Sequence, residues 1–374
     1  MTKPRIYIVD GNNHIFRAFY AIRGMSRSDG QATNAIYGFT SMLKRLIQDQ
    51  QPDYLAMTFD VSRRGFRTDL YPAYKGTRKP TPEDLIPQLP IIREVTRGFG
   101  IPVLELEGWE ADDLMATLAV QAEADGMEVT LVSTDKDLTQ LVGDNITLFD
   151  PMKDKRLGRA EVIEKMGVPP ELVVELQALC GDTADNIPGV PGVGMKTAAK
   201  LIDAYQSLEG VYAAIDAGDK AIKGKRLENL INHKDNAFMS RKLAHLSREV
   251  PVVEAFGIGA GVGWEKALLG QPDASLLRPI FEANNLRRFL NELPTDPGAE
   301  RSAASGEGTT NEGGPTEAAP ERLTRDGDIC VFTWRQLAEM TTALARAGRF
   351  SFDTETTGLD PISDHLVGMS FAVG

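Results

Sequence analysis

The stretch Arg5-Ile-Tyr-Ile-Val9, followed at once by Asp10, is the first of five short β-rich runs in the sequence. Apolar residues at helical spacing occupy the gaps between these runs, most clearly over residues 36–47 and 111–122. Strands that alternate with helices predict an α/β fold with a mostly parallel sheet and helices on both faces. The four later runs are Tyr54–Phe59, Val103–Leu106, Glu128–Val132 and Ile146–Phe149.

The pattern changes twice along the chain. After about residue 160 it becomes helical only, over residues 172–179, 197–205 and 226–231. Between Pro294 and Pro320 there is no Val, Ile, Leu, Met or aromatic residue, so this stretch cannot bury enough apolar surface to offset the entropy of ordering. We therefore expect an α/β core at 1–165, a helical region at 166–291, a flexible linker at 292–325 and a further short piece at 326–374.

Composition excludes several classes of protein. The 374 residues carry a formal net charge of -12, which excludes a uniformly basic nucleic-acid coat. The two cysteines, Cys180 and Cys330, form no CxxC pattern, which excludes a disulfide scaffold and a thiolate zinc site. The sequence has no apolar run of about 18 residues and no signal-peptide core of about 7–15 apolar residues. A globular, cytoplasmic protein is expected.

Carboxylates recur where the predicted strands end. Because ligands of open α/β sheets bind beyond the carboxyl ends of the strands, we expect these side chains to share one pocket. Nine carboxylates there would repel one another, and hard divalent cations such as Mg²⁺ or Mn²⁺ would relieve the repulsion. Two such ions about 3.5–4 Å apart suit phosphoryl chemistry. The residues are Asp10, Asp60, Glu110, Asp112, Asp113, Asp135, Asp137, Asp182 and Asp185.

Each of these residues also has a simpler interpretation. An aspartate after a strand is commonly the N-cap of the next helix, and Asp112 and Asp135 are good candidates for that role. The i, i+3 spacing of Asp182 and Asp185 predicts one shared helix face, although a solvated turn before Pro188 is the alternative. The four histidines show no metal-ligand spacing, and we interpret them as structural: His14, His233, His245 and His365.

A basic segment between residues 63 and 79 directly follows Asp60. It holds six basic residues and one acidic residue, with Tyr71 and Tyr74 between them. Such a segment beside the carboxylates could grip phosphates and stack on unpaired bases, whereas the alternative is an ordinary solvated loop. The basic residues are Arg63, Arg64, Arg67, Lys75, Arg78 and Lys79.

A glycine-rich hairpin, Ile187-Pro-Gly-Val-Pro-Gly-Val-Gly-Met-Lys-Thr-Ala-Ala-Lys-Leu201, leads into a helix. Backbone N–H groups at such a turn and helix start bind phosphate, and glycine allows close approach. The GxxxxGK[ST] spacing of a Walker loop is missing. The full hairpin with its Thr-Ala-Ala-Lys-Leu helix indicates a sequence-independent grip on a DNA backbone. The candidate contacts are Gly189, Gly192, Gly194, Lys196, Thr197 and Lys200.

Four motifs together resemble the 5′-nuclease domains of bacterial DNA polymerase I, within the flap endonuclease superfamily. They are Gly181-Asp-Thr-Ala-Asp-Asn-Ile-Pro-Gly-Val-Pro-Gly-Val-Gly194, Trp109-Glu-Ala-Asp-Asp113, Ser133-Thr-Asp-Lys-Asp137 and Tyr74-Lys-Gly-Thr-Arg78. The resemblance implies a PIN-like core, a helical arch and a helix–hairpin–helix that holds duplex DNA, with K⁺ there. It assigns Tyr74, Lys75 and Arg78 to the arch motif that steers the scissile phosphate. Asp137, Asp182 and Asp185 would serve a second metal, and the other six carboxylates would hold or surround the first.

The function implied is a metal-dependent 5′–3′ exonuclease and 5′-flap endonuclease that acts on DNA with 5′ flaps, nicks or RNA primers in replication and repair. We expect a monomer, associated with the nucleoid, whose full-length form carries a polymerase domain in cis. The alternatives are a PIN-type ribonuclease on structured RNA and a non-catalytic DNA-binding scaffold. Asp353 and Glu355 resemble the first motif of the 3′–5′ proofreading exonuclease, in a piece too short to be active.

Overall fold

A computed structural model describes residues 3–61, 65–293, 350–356 and 366–373 of the chain. The chain forms two compact units, residues 1–304 and 305–374. Among the described residues, no helix is long and apolar enough to cross a membrane.

The first unit is built on a six-stranded sheet with the strand order β3-β2-β1-β4-β5-β6. All five strands expected from the sequence are present, and they run parallel to one another. The antiparallel edge strand β6 was not predicted, because its three residues are too few to show a pattern. The strands are β1 (Arg5–Asp10), β2 (Tyr54–Thr58), β3 (Val103–Leu104), β4 (Glu128–Val132), β5 (Ile146–Asp150) and β6 (Lys155–Leu157).

Helices cover both faces of this sheet. The central strand β1 alternates, so Ile6 and Ile8 belong to one buried cluster whereas Tyr7 and Val9 belong to the other. The first cluster includes the apolar face of α5, and the second includes that of α2. The helices of this part are α1 (Gly11–Ala21), α2 (Asn34–Gln50), α3 (Phe66–Leu70), α4 (Gln88–Gly98) and α5 (Ala111–Ala124).

The segment for which the resemblance implies a helical arch is largely non-helical. Its described part contains the five-residue helix α3, then turns up to α4. The backbone N–H of Lys75 donates to the carbonyl of Asp185 at 2.9 Å, which ties these turns to the helical region.

The rest of the first unit is helical, as expected. Its last two helices return to the sheet, since Leu277, Phe281 and Phe289 join the buried cluster of α2 and α4. Gly98 permits this contact, because a Cβ there would lie 2.5 Å from Leu277. The helices are α6 (Arg159–Met166), α7 (Val173–Cys180), α8 (Met195–Tyr205), α9 (Leu208–Asp216), α10 (Gly224–Asn232), α11 (Lys234–Ala244), α12 (Val252–Phe256), α13 (Ala274–Ala283) and α14 (Arg287–Glu292), with 3₁₀ turns at Asp137–Leu141, Pro170–Leu172 and Trp264–Ala267.

The described part of the second unit is an antiparallel strand pair, β7 (Phe350–Thr356) and β8 (Leu366–Val373). Asp353 and Glu355 lie on β7, in register with Ser370 and Gly368, and a β-bulge follows Glu355. The predicted linker at 292–325 lies outside the described residues apart from its first two positions.

Candidate metal centre and nucleic-acid interface

The carboxyl edge of the sheet gathers Asp10, Asp60, Asp112 and Asp135. Asp60 links three elements, because its carboxylate accepts from Ala111 N at 2.8 Å, at the start of α5, and from Asn12 Nδ2 at 2.7 Å, on α1. The ends of β1, β2 and β4 therefore place their acidic residues in one pocket, as the strand order requires.

Asp10 has the N-cap role, one of the two interpretations that the sequence left open, and its metal binding stays a prediction. It is the N-cap of α1, accepting from Asn13 N at 2.9 Å, and it also accepts from Ser133 Oγ at 2.8 Å. Ser133 in turn accepts from Asp135 N at 3.1 Å. Sequence reasoning missed Asn12 and Ser133 as orienting groups, although their positions next to predicted carboxylates were a usable signal.

Burial and like charge disfavour ionisation of this pocket. Burial, followed by the charges of Asp60 and Asp135, raises the pKa of Asp10 to about 7. Burial is also the main cause that raises the pKa of Asp112 well above its ordinary value, with Asp135 next. The pocket therefore favours cations, either protons or metal ions.

Asp137, Asp182 and Asp185 form a second acidic cluster. Each offers a carboxylate oxygen within 4.8 Å of the other two, and all three side chains are buried, so the cluster could hold a metal ion. Burial, then the nearby Asp135, raises the pKa of Asp137 to about 7. The backbone N–H of Asp137 donates to Asp135 Oδ1 at 2.9 Å, so the two clusters lie side by side.

The predicted shared helix face of Asp182 and Asp185 is wrong. Gly181, with φ +68°, ends α7, and residues 183–186 form a turn closed by two backbone hydrogen bonds between Asp182 and Ile187. Asp182 also accepts from Ala184 N at 2.9 Å, as aspartates do in such turns. Thr183 and Ala184 of the turn are exposed, whereas Asp182 and Asp185 are buried with their carboxylates near that of Asp137.

The three residues of the arch motif directly contact the carboxylates of Glu110 and Asp185. Lys75 Nζ lies 3.0 Å from Glu110 Oε1 and 3.8 Å from Asp185 Oδ2. The Tyr74 hydroxyl lies 3.1 Å from Glu110 Oε2, and Arg78 pairs with Asp185. Tyr74 is buried and its pKa is raised, first by burial, so it stays a neutral hydrogen-bond donor and does not stack on bases.

The structure contradicts the predicted DNA contact of Arg67 and the predicted place of Asp113 at the first metal. Arg67 is buried and donates to Asp113 at 2.7 and 2.8 Å, to Glu110 at 3.1 Å and to two backbone carbonyls, so it cannot contact DNA. Both Asp113 oxygens are thereby occupied, and one also accepts from Ser247 N at 2.8 Å. Asp113 is thus a structural partner of Arg67, not a member of the metal pocket.

The remaining basic residues of this segment are Lys79, Arg63 and Arg64. Lys79 is exposed, and its predicted DNA contact stays a prediction. Arg63 and Arg64 lie outside the described residues, so their predicted DNA contacts stay predictions.

The glycine hairpin divides into a buried half and an exposed half. Gly189 is buried, and its N–H donates to Ser240 Oγ at 3.0 Å, so its predicted phosphate contact is wrong. Its φ of +56° and a Cβ position only 2.3 Å from Gly181 N require glycine for packing. By contrast Gly192, Gly194, Lys196 and Lys200 are exposed around the start of α8, with Thr197 half-buried. This half could bind a phosphate backbone.

Comparisons with known proteins agree with this architecture. Residues 5–167 match the family described as 5′-3′ exonuclease, N-terminal resolvase-like domain, and residues 168–257 match 5′-3′ exonuclease, C-terminal SAM fold. DNA polymerase I of Rhizobium leguminosarum is 37% identical over an alignment covering 98% of this chain and 41% of that protein. DNA polymerase I of Bacillus caldotenax is 42% identical, covering 67% of this chain and 29% of that protein. The chain thus spans less than half the length of these relatives.

Two solved structures share the fold. The T5 5′-exonuclease with bound divalent zinc ions has a TM-score of 0.56 at 24% identity and covers 74% of this chain and 98% of that chain. The catalytic core of Rad2 in complex with DNA substrate has a TM-score of 0.51 at 16% identity and covers 75% of this chain and 88% of that chain.

Proposed function

The chain belongs to the 5′-3′ exonuclease family, and from this premise we propose that it is a metal-dependent, structure-specific 5′ nuclease that acts on DNA. The observation that carries the proposal is the pair of adjoining acidic clusters with Lys75 and Arg78 on their wall. Substrates are DNA ends with 5′ flaps, nicks or RNA primers.

The donor set fits two divalent cations, Mg²⁺ or Mn²⁺. All donors are carboxylate oxygens. Burial, and then the charges of neighbouring carboxylates, raise the pKa values of Asp10 and Asp137, and bound cations would offset both effects. Asp10, Asp60, Asp112 and Asp135 would hold one cation, and Asp137, Asp182 and Asp185 the other. When bound, the pair supplies water activation and stabilisation of the leaving oxygen.

Lys75 and Arg78 would supply positive charge to the scissile phosphate. Lys75 and Arg78 neutralise Glu110 and Asp185 in the structure, so they lie beside the place where a scissile phosphate would meet the carboxylates. Their fixed positive charge stabilises negative charge as it develops on that phosphate. Asn12 and Ser133 keep Asp60 and Asp10 in orientation through their hydrogen bonds.

The exposed half of the hairpin serves the duplex arm. The N–H groups at the start of α8, with Lys196 and Lys200, suit the backbone phosphates of one strand, independent of sequence. Peptide carbonyls of the hairpin would hold K⁺. The 5′ single strand would pass the segment that contains Lys75.

The wider role is primer and flap removal in DNA replication and repair. The polymerase I relatives suggest that a polymerase domain follows in cis. In that context Asp353 and Glu355 would open a 3′–5′ exonuclease domain, with 292–325 as linker. We propose that the protein acts as a monomer in the cytoplasm, at the nucleoid.

A double-flap DNA labelled at its 5′ end tests the function, with Mg²⁺ or EDTA present and Asp135→Asn beside the wild type. We expect metal-dependent release of a short 5′ product that the variant does not form. Tight binding without cleavage in Mg²⁺ or Mn²⁺ would favour a scaffold. Faster cleavage of an all-RNA analogue would favour a ribonuclease.

A further inference from the structure

A groove beside the acidic clusters combines aromatic and basic side chains and plays no part in the site described above. Phe66, Trp109, Lys242, His245 and Arg248 line a cavity of about 600 Å³. It continues into a second cavity of about 600 Å³ along α7, and the last three of these residues line both. The two cavities therefore form one continuous groove.

The aromatic pair is held by the buried ion pair beneath it. The rings of Phe66 and Trp109 have centroids 6.0 Å apart, and the Arg67 guanidinium lies 4.5 Å from the Phe66 ring. Arg67 is itself fixed by both oxygens of Asp113. Phe66 nevertheless remains 39% exposed, so the fold orients an aromatic surface toward solvent.

The groove also carries uncompensated positive charge. Lys242 and Arg248 are exposed, and neither has an ion-pair partner among the described residues. Glu171 and Glu175, which line the second cavity, pair instead with Arg159 and Arg241. Glu249 is then the one lining carboxylate without such a partner in the described part of the chain.

Trp109 places one end of the groove beside the contact between Glu110 and Lys75. Trp109 precedes Glu110, whose Oε1 lies 3.0 Å from Lys75 Nζ. A strand that leaves the site past Lys75 would therefore meet the aromatic pair first and the cations next. Aromatic rings that stack on bases, beside a positively charged groove, are the arrangement by which proteins bind single strands without sequence preference.

We propose that this groove binds the single-stranded 5′ flap of the DNA a few nucleotides from the scissile phosphate. Phe66 and Trp109 stack on bases, and Lys242 and Arg248 contact phosphates. The inference rests on the proposed nuclease function and deepens it, because it assigns binding of the flap to residues outside the metal site.

The test compares two DNA substrates that differ only in flap length, one nucleotide or about twelve. The variants are the double substitution Lys242→Ala/Arg248→Ala and Phe66→Leu, which removes the ring and keeps an apolar side chain. The matched control is Lys153→Ala/Lys165→Ala, two exposed lysines away from the groove. Cleavage is measured in Mg²⁺, and binding is measured in EDTA over a range of salt concentrations.

We expect both groove variants to lower the long-flap to short-flap ratio of kcat/KM by about tenfold, with the control unchanged. The double variant should also reduce the salt slope of long-flap binding by about 1.4, since two phosphate contacts are lost. Equal effects on both substrates, or no effect on either, would refute the proposal that the groove binds the flap. Failure of the wild type to cut either substrate would overturn the nuclease function instead.

Discussion

The substitution Asp113→Ala tests whether the two neighbouring aspartates at the start of α5, Asp112 and Asp113, have different roles. Asp113 is fully buried and accepts two hydrogen bonds from Arg67, whereas its neighbour Asp112 lies among the carboxylates of the first acidic cluster. The substitution leaves the Arg67 charge buried at 2% exposure with Glu110, 3.1 Å away, as its remaining acidic partner. It also removes the acceptor of Ser247 N.

Breaking a buried ion pair by removing one partner costs about 3–5 kcal/mol. With a urea m-value of about 3 kcal/mol/M, the unfolding midpoint of the chain should fall by about 1–2 M. The matched change, Asp112→Asn, should have the opposite sign in EDTA at pH 8. Burial and the charges of Asp135, Asp10 and Asp60 disfavour ionised Asp112, so a neutral side chain relieves repulsion.

The assay is urea unfolding of the full chain followed by far-UV circular dichroism, in EDTA, for wild type and both variants. A midpoint for Asp113→Ala within about 0.3 M of the wild type, or above it, would show that Asp113 belongs with the repelling carboxylates. That result would refute the assignment of Asp113 to Arg67.

Three further predictions concern the site and the hairpin. Lys75→Ala should lower kcat on flap DNA by about 10²–10³ and change Kd less than threefold, because its charge is needed where charge develops; equal losses in both would contradict this. Mg²⁺ affinity measured by calorimetry should rise about tenfold per displaced proton from pH 6 to pH 8, since Asp10 and Asp137 have pKa values of about 7. An Mg²⁺ affinity independent of pH would argue against these pKa values. The same raised pKa values contribute stability to the metal-free protein that is fully present below pH 4 and is lost as the pH rises through 7. Gly189→Ala should destabilise by more than about 1 kcal/mol in urea, because its φ of +56° and close backbone contact exclude a Cβ. Gly194→Ala, at the N-cap of α8 with open space around it, should cost less, and equal midpoints would refute the packing role of Gly189.

Much of the fold and part of the site were predictable because they depend on local periodicity. Alternating residues in β1 serve two buried clusters, and each predicted strand is present. Parallel strands end at one edge, so the placement of Asp10, Asp60 and Asp135 together follows from the strands alone. The glycines and prolines of the hairpin likewise predict its turn and the start of α8.

Tertiary structure alone decided which charges meet. Arg67 belongs to a basic run and Asp113 to an acidic one, and only burial of both between α3 and α5 makes them an ion pair. The same holds for the turn that directs Asp182 at Asp137 and for the groove that joins Phe66 to Arg248. Local sequence determines which element forms, because its pattern repeats within a few residues. The partner of a buried charge is determined by long-range packing, since burying an unpaired charge costs far more free energy than any local preference supplies.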